Sequence, residues 1–163
     1  MALFPSIPSF TPESLKMIRS MMASMSMPDV VLADPSIVHQ DITIPGPDNN
    51  TITLAVLKLK EGSLKPRAAI FYMHGGGLVL GDRFTCTGTF PWIKELDVVV
   101  ISVEYRLAPE DPYPAALEDC YTGLSYISSH ASELGIDSSK ILPAGHSAGG
   151  NLAAAITMLA RDP

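Results

Sequence analysis

Apolar and polar positions change rhythm along this chain. Leu15, Ile18 and Met22 recur at the spacing of one helical face, behind Thr11 as an N-cap and Pro12 at the first helical position. The spacing predicts a short helix from about Pro12 to Met25. The runs VHQDITI and TITLAVLKLK, separated by PGPDNN, alternate in part with period two, so an antiparallel hairpin is expected. From residue 68 strand-like and helix-like patterns take turns: AAIFYMH, a helix over about 83–95, VVVISVEY, a helix through PAALEDCYTGLSYISSH, ILPAG, and a helix starting near Ser147. Alternation of this kind indicates an α/β protein with a parallel sheet. The run VVVISV is apolar at nearly consecutive positions, as in a strand covered on both faces. No internal repeat, low-complexity tract or linker interrupts the pattern, and a single domain is expected.

Composition narrows the class. With 163 residues, 47% of them hydrophobic, the chain can bury one real core. A formal charge of −6 argues against non-specific attraction to nucleic acid or an anionic membrane, which needs a basic patch. Cys86 and Cys120 form neither a disulfide framework nor a metal-ligand spacing and read as buried thiols in a reducing compartment. Prolines 5 and 8 interrupt any signal-like core at the N-terminus, so no secretory signal and a cytoplasmic location are expected. No run approaches the roughly 18 apolar residues of a spanning helix.

Two glycine-rich segments carry the chemistry, each directly after a strand-like run. Gly145-His146-Ser147-Ala148-Gly149, followed by Gly150, has the form of a strand-to-helix elbow that presents a serine nucleophile at the top of a sheet. The helix that follows offers N–H groups and a positive dipole end near Ser147. In His74-Gly75-Gly76-Gly77 the missing side chains let backbone N–H groups approach a developing oxyanion. Ala148, the residue after the serine, would add another donor. Which two of Gly75, Gly76 and Gly77 point inward is left open. The plain structural readings are a glycine turn before a helix and a flexible glycine loop, and finding both motifs after strands, 73 residues apart, favours one joint site.

No base for Ser147 stands out. Sixteen residues follow it, with no histidine and only Asp162 acidic, and His39, His74, His130 and His146 all precede it. A general base must come within hydrogen-bond reach of the hydroxyl, and neighbours at a tight elbow project apart, which tells against His146. No triad acid, triad histidine or metal ligand is assigned.

The segments FYMHGGGLVLGD, SVEYRLAPEDPYPAALEDC and ILPAGHSAGGNLAA resemble the hormone-sensitive-lipase-like carboxylesterases, the HGGG branch of the α/β-hydrolase fold, over about residues 50–161. The resemblance implies a mostly parallel sheet with helices on both faces, a cap-like helical segment over residues 1–35, and a partial α/β-hydrolase domain over 36–163. It makes Ser147 the nucleophile, places Gly75, Gly76, Gly77 and Ala148 around an oxyanion hole, and gives His74 the orientation of the oxyanion loop. Tyr105, Arg106, Pro109 and Glu110 match a motif whose role looks architectural. The family needs no cofactor and carries its catalytic acid and histidine downstream of the elbow.

The expectation is therefore the N-terminal part of a serine hydrolase of short acyl or aryl esters, with little activity alone. Two other readings stay open. One is a non-catalytic module that binds a small carboxylate in the same loop, and the other is an interaction protein that pairs an exposed sheet edge with another chain. Pro143 is unexpected in a strand flanked on both sides, and an uncovered strand there predicts self-association and poor solubility. The methionines at 17, 21, 22, 25 and 27 either line an adaptable apolar substrate site or dock the first helix on its own domain.

Overall fold

Reciprocal capping starts the first helix where the sequence places it. In the computed structural model, which describes residues 11–24 and 33–162, α1 spans Pro12–Ser24. The Ser14 N–H donates to Thr11 Oγ1 (3.2 Å) and the Thr11 N–H donates to Ser14 Oγ (2.9 Å), so each side-chain oxygen satisfies the other residue's backbone donor. Leu15 is the buried anchor of α1, whereas Met17, Met21 and Met22 face outward. Met25 and Met27 lie outside the described residues.

The hairpin forms as expected. Strand β1 (Ile37–Pro45) pairs antiparallel with β2 (Thr51–Leu59), in register from Ile37↔Leu59 to Pro45↔Thr51. The alternating region then supplies β3 (Arg67–Met73), α2 (Phe90–Leu96), β4 (Val99–Glu104), α3 (Ala115–Ser129), the single turn α4 (Ala131–Leu134), β5 (Ile136–Gly145) and α5 (Ala148–Arg161). The sheet order is β1-β2-β4-β3-β5. Strands β3, β4 and β5 run parallel, and β2 joins β4 antiparallel, so the sheet is mixed and its parallel part is the part that bears the glycine motifs.

Two elements differ from their sequence-based bounds. The helix expected over 83–95 begins only at Phe90, with Pro91 in its first turn and a 3-10 turn over Thr87–Thr89 before it. Asp82 explains the delay: its carboxylate accepts the Phe84 N–H (2.9 Å), holding residues 82–85 in a turn. Strand β5 starts five residues earlier than ILPAG, because Arg67 of β3 pairs with Ile136 beyond a bulge. Pro143 sits in β5 opposite Phe71, and β5 is an edge strand here, a position that tolerates proline.

Both faces of the sheet are buried, as the consecutive valines of β4 require. On one face Leu54, Phe71, Met73, Val99, Ile101 and Val103 pack under α3 and α5, with Cys120 among them. On the other, Leu57, Ile70, Val98 and Val100 pack with Ile93 of α2 and with Phe84, and Cys86 lies in that layer. Burial pushes the Cys86 thiol up to about 11 and raises that of Cys120 as well. Leu142 on β5 is 61% exposed, and Met158 and Leu159 of α5 are also exposed. Among the described residues no helix is long and apolar enough to cross a membrane.

Candidate active site

The register of two parallel strands brings the motifs together. Met73 ends β3, Gly145 ends β5, and the two are direct partners, so residues 74–77 and 146–147 leave the sheet side by side at one end. A β-carbon built on Gly75 would lie 3.0 Å from the His146 carbonyl oxygen and 3.6 Å from Ser147 Cβ. The glycine loop thus faces the serine at van der Waals distance.

Ser147 is held in an unfavourable conformation. Its backbone lies at φ 53°, ψ −118°, which costs about 1–3 kcal/mol for a residue with a side chain. The surroundings enforce it. The Gly149 N–H donates to the His146 carbonyl (2.9 Å), and the Gly150 N–H donates to that of Ser147 (2.9 Å). Helix α5 also approaches the end of β3 so closely that a β-carbon on Gly149 would sit 2.0 Å from the Met73 oxygen, and one on Gly145 2.4 Å from Gly149 itself. Only glycine fits at either position. Ser147 is exposed and occupies the N-cap of α5 without making a side-chain cap bond. Its hydroxyl has no hydrogen-bond partner among the described residues, and neither does the Ala148 N–H.

The loop over 74–80 is built around positive φ at Gly76 (121°), Gly77 (65°) and Leu78 (64°), closed by Val79 and Leu80 N–H groups donating to the Gly76 carbonyl. The N–H groups of Gly76 and Gly77 themselves donate to nothing among the described residues. His74 is fully buried beneath the loop. Its Nδ1–H donates to the Gly75 carbonyl (2.8 Å), the Tyr105 hydroxyl donates to the His74 carbonyl (2.7 Å), and the two rings stack at 4.1 Å. Burial lowers the His74 pKa, which agrees with a neutral ring protonated at Nδ1. Nε2 is left buried without a protein partner.

The motif after β4 gains partners that the sequence did not name. Tyr105 holds the His74 carbonyl. Arg106 donates through its backbone N–H (2.9 Å) and its Nε (3.0–3.1 Å) to Asp119 of α3, which is wholly buried and also accepts from Asn50 (3.2 Å) in the hairpin turn. Glu110 pairs with Arg19 of α1 (2.8 Å). Of these, Asp119 had a signal, as an acid inside an apolar helix pattern. Arg19 had none, since two of its partners are backbone carbonyls.

The four histidines do not converge on Ser147. His39 pairs with Asp41 (2.8 Å) on β1, the opposite edge of the sheet. Four strand spacings separate it from β5, about 19 Å. His130 stacks on Tyr126 at the end of α3, and His74 is occupied under the loop. His146 makes no hydrogen bond to the serine, and its Nδ1 lies beside Gly75. Among the described residues no group of three or more His, Cys, Asp or Glu could hold a metal ion. Such a site can place a hydroxyl beside free N–H donors, but among the described residues no proton acceptor bonds that hydroxyl.

Comparison with known proteins places this geometry. A family model described as the alpha/beta hydrolase fold matches residues 70–163. Esterase LipI of Mycobacterium tuberculosis is 47% identical over 94 residues, covering 57% of this chain and 29% of that protein. The arylacetamide deacetylase of Bos taurus is 34% identical over 148 residues, covering 87% and 37%. Among solved structures, a bacterial heroin esterase superimposes with a TM-score of 0.81 at 33% identity over 93% of this chain and 47% of its own. The hyperthermophilic esterase of the archaeon Pyrobaculum calidifontis gives 0.80 at 38% identity over 99% and 50%. The chain belongs to the α/β-hydrolase fold family, in its hormone-sensitive-lipase-like carboxylesterase branch. It spans about a third of the length of these curated relatives and about half that of the solved structures.

Proposed function

We propose that this chain carries the nucleophile and the oxyanion donors of a serine carboxylic ester hydrolase acting on short acyl or aryl esters. The observation that supports it most is Ser147, strained, exposed and facing Gly75 at the N-terminus of α5. In the reaction the Ser147 oxygen attacks the ester carbonyl carbon. Negative charge then forms on the carbonyl oxygen, where N–H groups of the 75–77 loop and of Ala148 stabilise it, and the alcohol leaves. Water next attacks the acyl-serine and releases the acid. His74 holds the loop from beneath through Gly75 and is not a proton carrier, because its Nδ1 is engaged and it is buried.

The proton of Ser147 needs an acceptor that the four histidines of this chain do not supply. Little turnover is therefore expected from the chain alone, since loss of triad members leaves only about 10³–10⁴-fold acceleration over water. The test is p-nitrophenyl acetate hydrolysis beside covalent labelling by an alkyl fluorophosphonate, read by mass spectrometry, for the wild-type chain and Ser147→Ala. Slow, Ser147-specific labelling with near-background turnover is expected. Vigorous hydrolysis abolished by Ser147→Ala would overturn the low-turnover reading, and labelling equal in both proteins would overturn the nucleophile.

The unserved hydroxyl supports a second reading, a module that binds a small carboxylate at the same N–H groups. Millimolar or tighter binding of short-chain acids without Ser147 labelling would select it. The open β5 edge, with Leu142 exposed, supports self-association, which sedimentation at graded concentrations reads directly.

A further inference from the structure

The loop over 74–80 supplies few of its own restraints. Within it the Val79 and Leu80 N–H groups bond to Gly76 and the His74 ring bonds to Gly75, and Leu78 takes a left-handed conformation that a bulky side chain disfavours. From outside it is tied at His74 by the Tyr105 hydroxyl, and at its far end by one side chain of α1. Arg19 Nε donates to the Val79 carbonyl (2.9 Å), and Nη2 donates to the Ala108 carbonyl (2.8 Å). The remaining guanidinium donors grip Glu110, Nη1 to Oε1 at 2.8 Å and Nη2 to Oε2 at 3.1 Å. The Ala108 N–H in turn donates to the Leu78 carbonyl (2.9 Å), so the segments that Arg19 joins are also bonded to each other. A planar guanidinium can serve two carbonyls and a carboxylate at once, which a lysine ammonium cannot do in the same geometry.

We propose that Arg19 is a positioning residue, which couples the seating of α1 to the order of the 74–80 loop and so to the N–H donors beside Ser147. Among the described residues of α1, Leu15 is the buried apolar one. Between α1 and the 81–82 and 107 segments lies a cavity of about 200 Å³, lined by Arg19, Met22, Gly81, Asp82 and Leu107. The cavity gives α1 room to shift. When α1 moves off, the Val79 and Ala108 carbonyls lose their shared donor, and the donor loop loosens. The catalytic consequence rests on the esterase reading given above, whereas the coupling itself rests only on the hydrogen bonds.

Two readouts on the full chain test it. The first is hydrogen exchange at the Val79, Leu80 and Ala108 amides, with α3 amides as the internal reference, in wild type, Arg19→Ala and Arg19→Lys. Loss of hydrogen bonds to a charged group predicts exchange faster by about tenfold or more at those three amides, with α3 unchanged. Lysine should fail to restore protection, and millimolar guanidinium added to Arg19→Ala should restore it in part. The second is Ser147 labelling by the fluorophosphonate, for which Arg19→Ala should lower the maximal rate by about tenfold while the half-saturating concentration holds. Unchanged exchange at Val79, Leu80 and Ala108 overturns the proposal, and so does equal loosening of α3. If wild type labels no faster than Ser147→Ala, the esterase reading fails and the exchange result alone decides the coupling.

Discussion

Two neighbouring glycines at the start of α5 should respond in opposite ways to the same added methyl group. A β-carbon on Gly149 would lie 2.0 Å from the Met73 oxygen and 2.5 Å from the His74 oxygen, both backbone atoms at the end of β3. Real β-carbons do not approach closer than 3.0 Å, so α5 and β3 must separate by about 1 Å. Overpacking of this size costs about 2–3 kcal/mol, against which alanine recovers roughly 0.5–1 kcal/mol of chain entropy. On Gly150 the nearest atom would be the Gly145 oxygen at 3.4 Å, an ordinary contact. There alanine should stabilise by about 0.5–1 kcal/mol. The pair should therefore differ by about 2–3 kcal/mol, which separates their urea midpoints by about 1–1.5 M at a slope near 2 kcal/mol/M. Unfolding followed by the fluorescence of Trp92 measures this. Labelling of Ser147 adds a second scale, since a displacement near 1 Å at the reacting group costs about 10²-fold. Coincident midpoints for Gly149→Ala and Gly150→Ala would refute the close-packing argument.

Burial lowers the His74 pKa below 6.5, so the unfolded chain takes up that proton first, and the stabilisation from neutral His74 is whole above about 6.5 and drains away as pH falls through that value. Imidazole resonances should show His74 more than half neutral at pH 6.5, and half-protonation at or above that pH would contradict this. Asp119→Ala leaves the Arg106 guanidinium with only its longer pairs to Asp48 (3.5 Å) and Glu118 (3.9 Å) and should cost about 2–3 kcal/mol in urea unfolding, whereas Glu118→Ala, at the exposed end of the same cluster, should change stability by less than about 0.5 kcal/mol. Equal losses would mean that Asp119 acts through something other than its charge pairing. Ser147→Gly relieves the strained backbone and should be more stable than Ser147→Ala by about 1 kcal/mol in the same assay.

The sequence carried the sheet well because its signals were local. Consecutive valines announced a strand buried on both faces, PGPDNN announced the hairpin turn, and the Thr11-Pro12 pair announced the start of α1. The candidate site was legible for the same reason, each motif being a loop whose conformation its own glycines dictate. Errors came where a side chain overrode a pattern. Asp82 held the chain in a turn and postponed α2, and the pairing of Arg67 with Ile136 lengthened β5 through residues that look like loop. What pairs with what across the chain stayed hidden. The bond from Tyr105 to the His74 carbonyl, the burial of Asp119 against Arg106 and the grip of Arg19 join residues 13 to 91 positions apart, and no spacing rule reaches that far.

The two cysteines lie one in each layer, Cys120 on the buried face of α3 and Cys86 near α2, with the sheet between them. Both thiols are held far from the reactive thiolate form by burial, so in the native state a thiol reagent meets neither. Each becomes reactive only when its own layer opens. The chain thus carries two built-in chemical clocks, and the ratio of their labelling rates gives the order in which the two halves of its interior come apart.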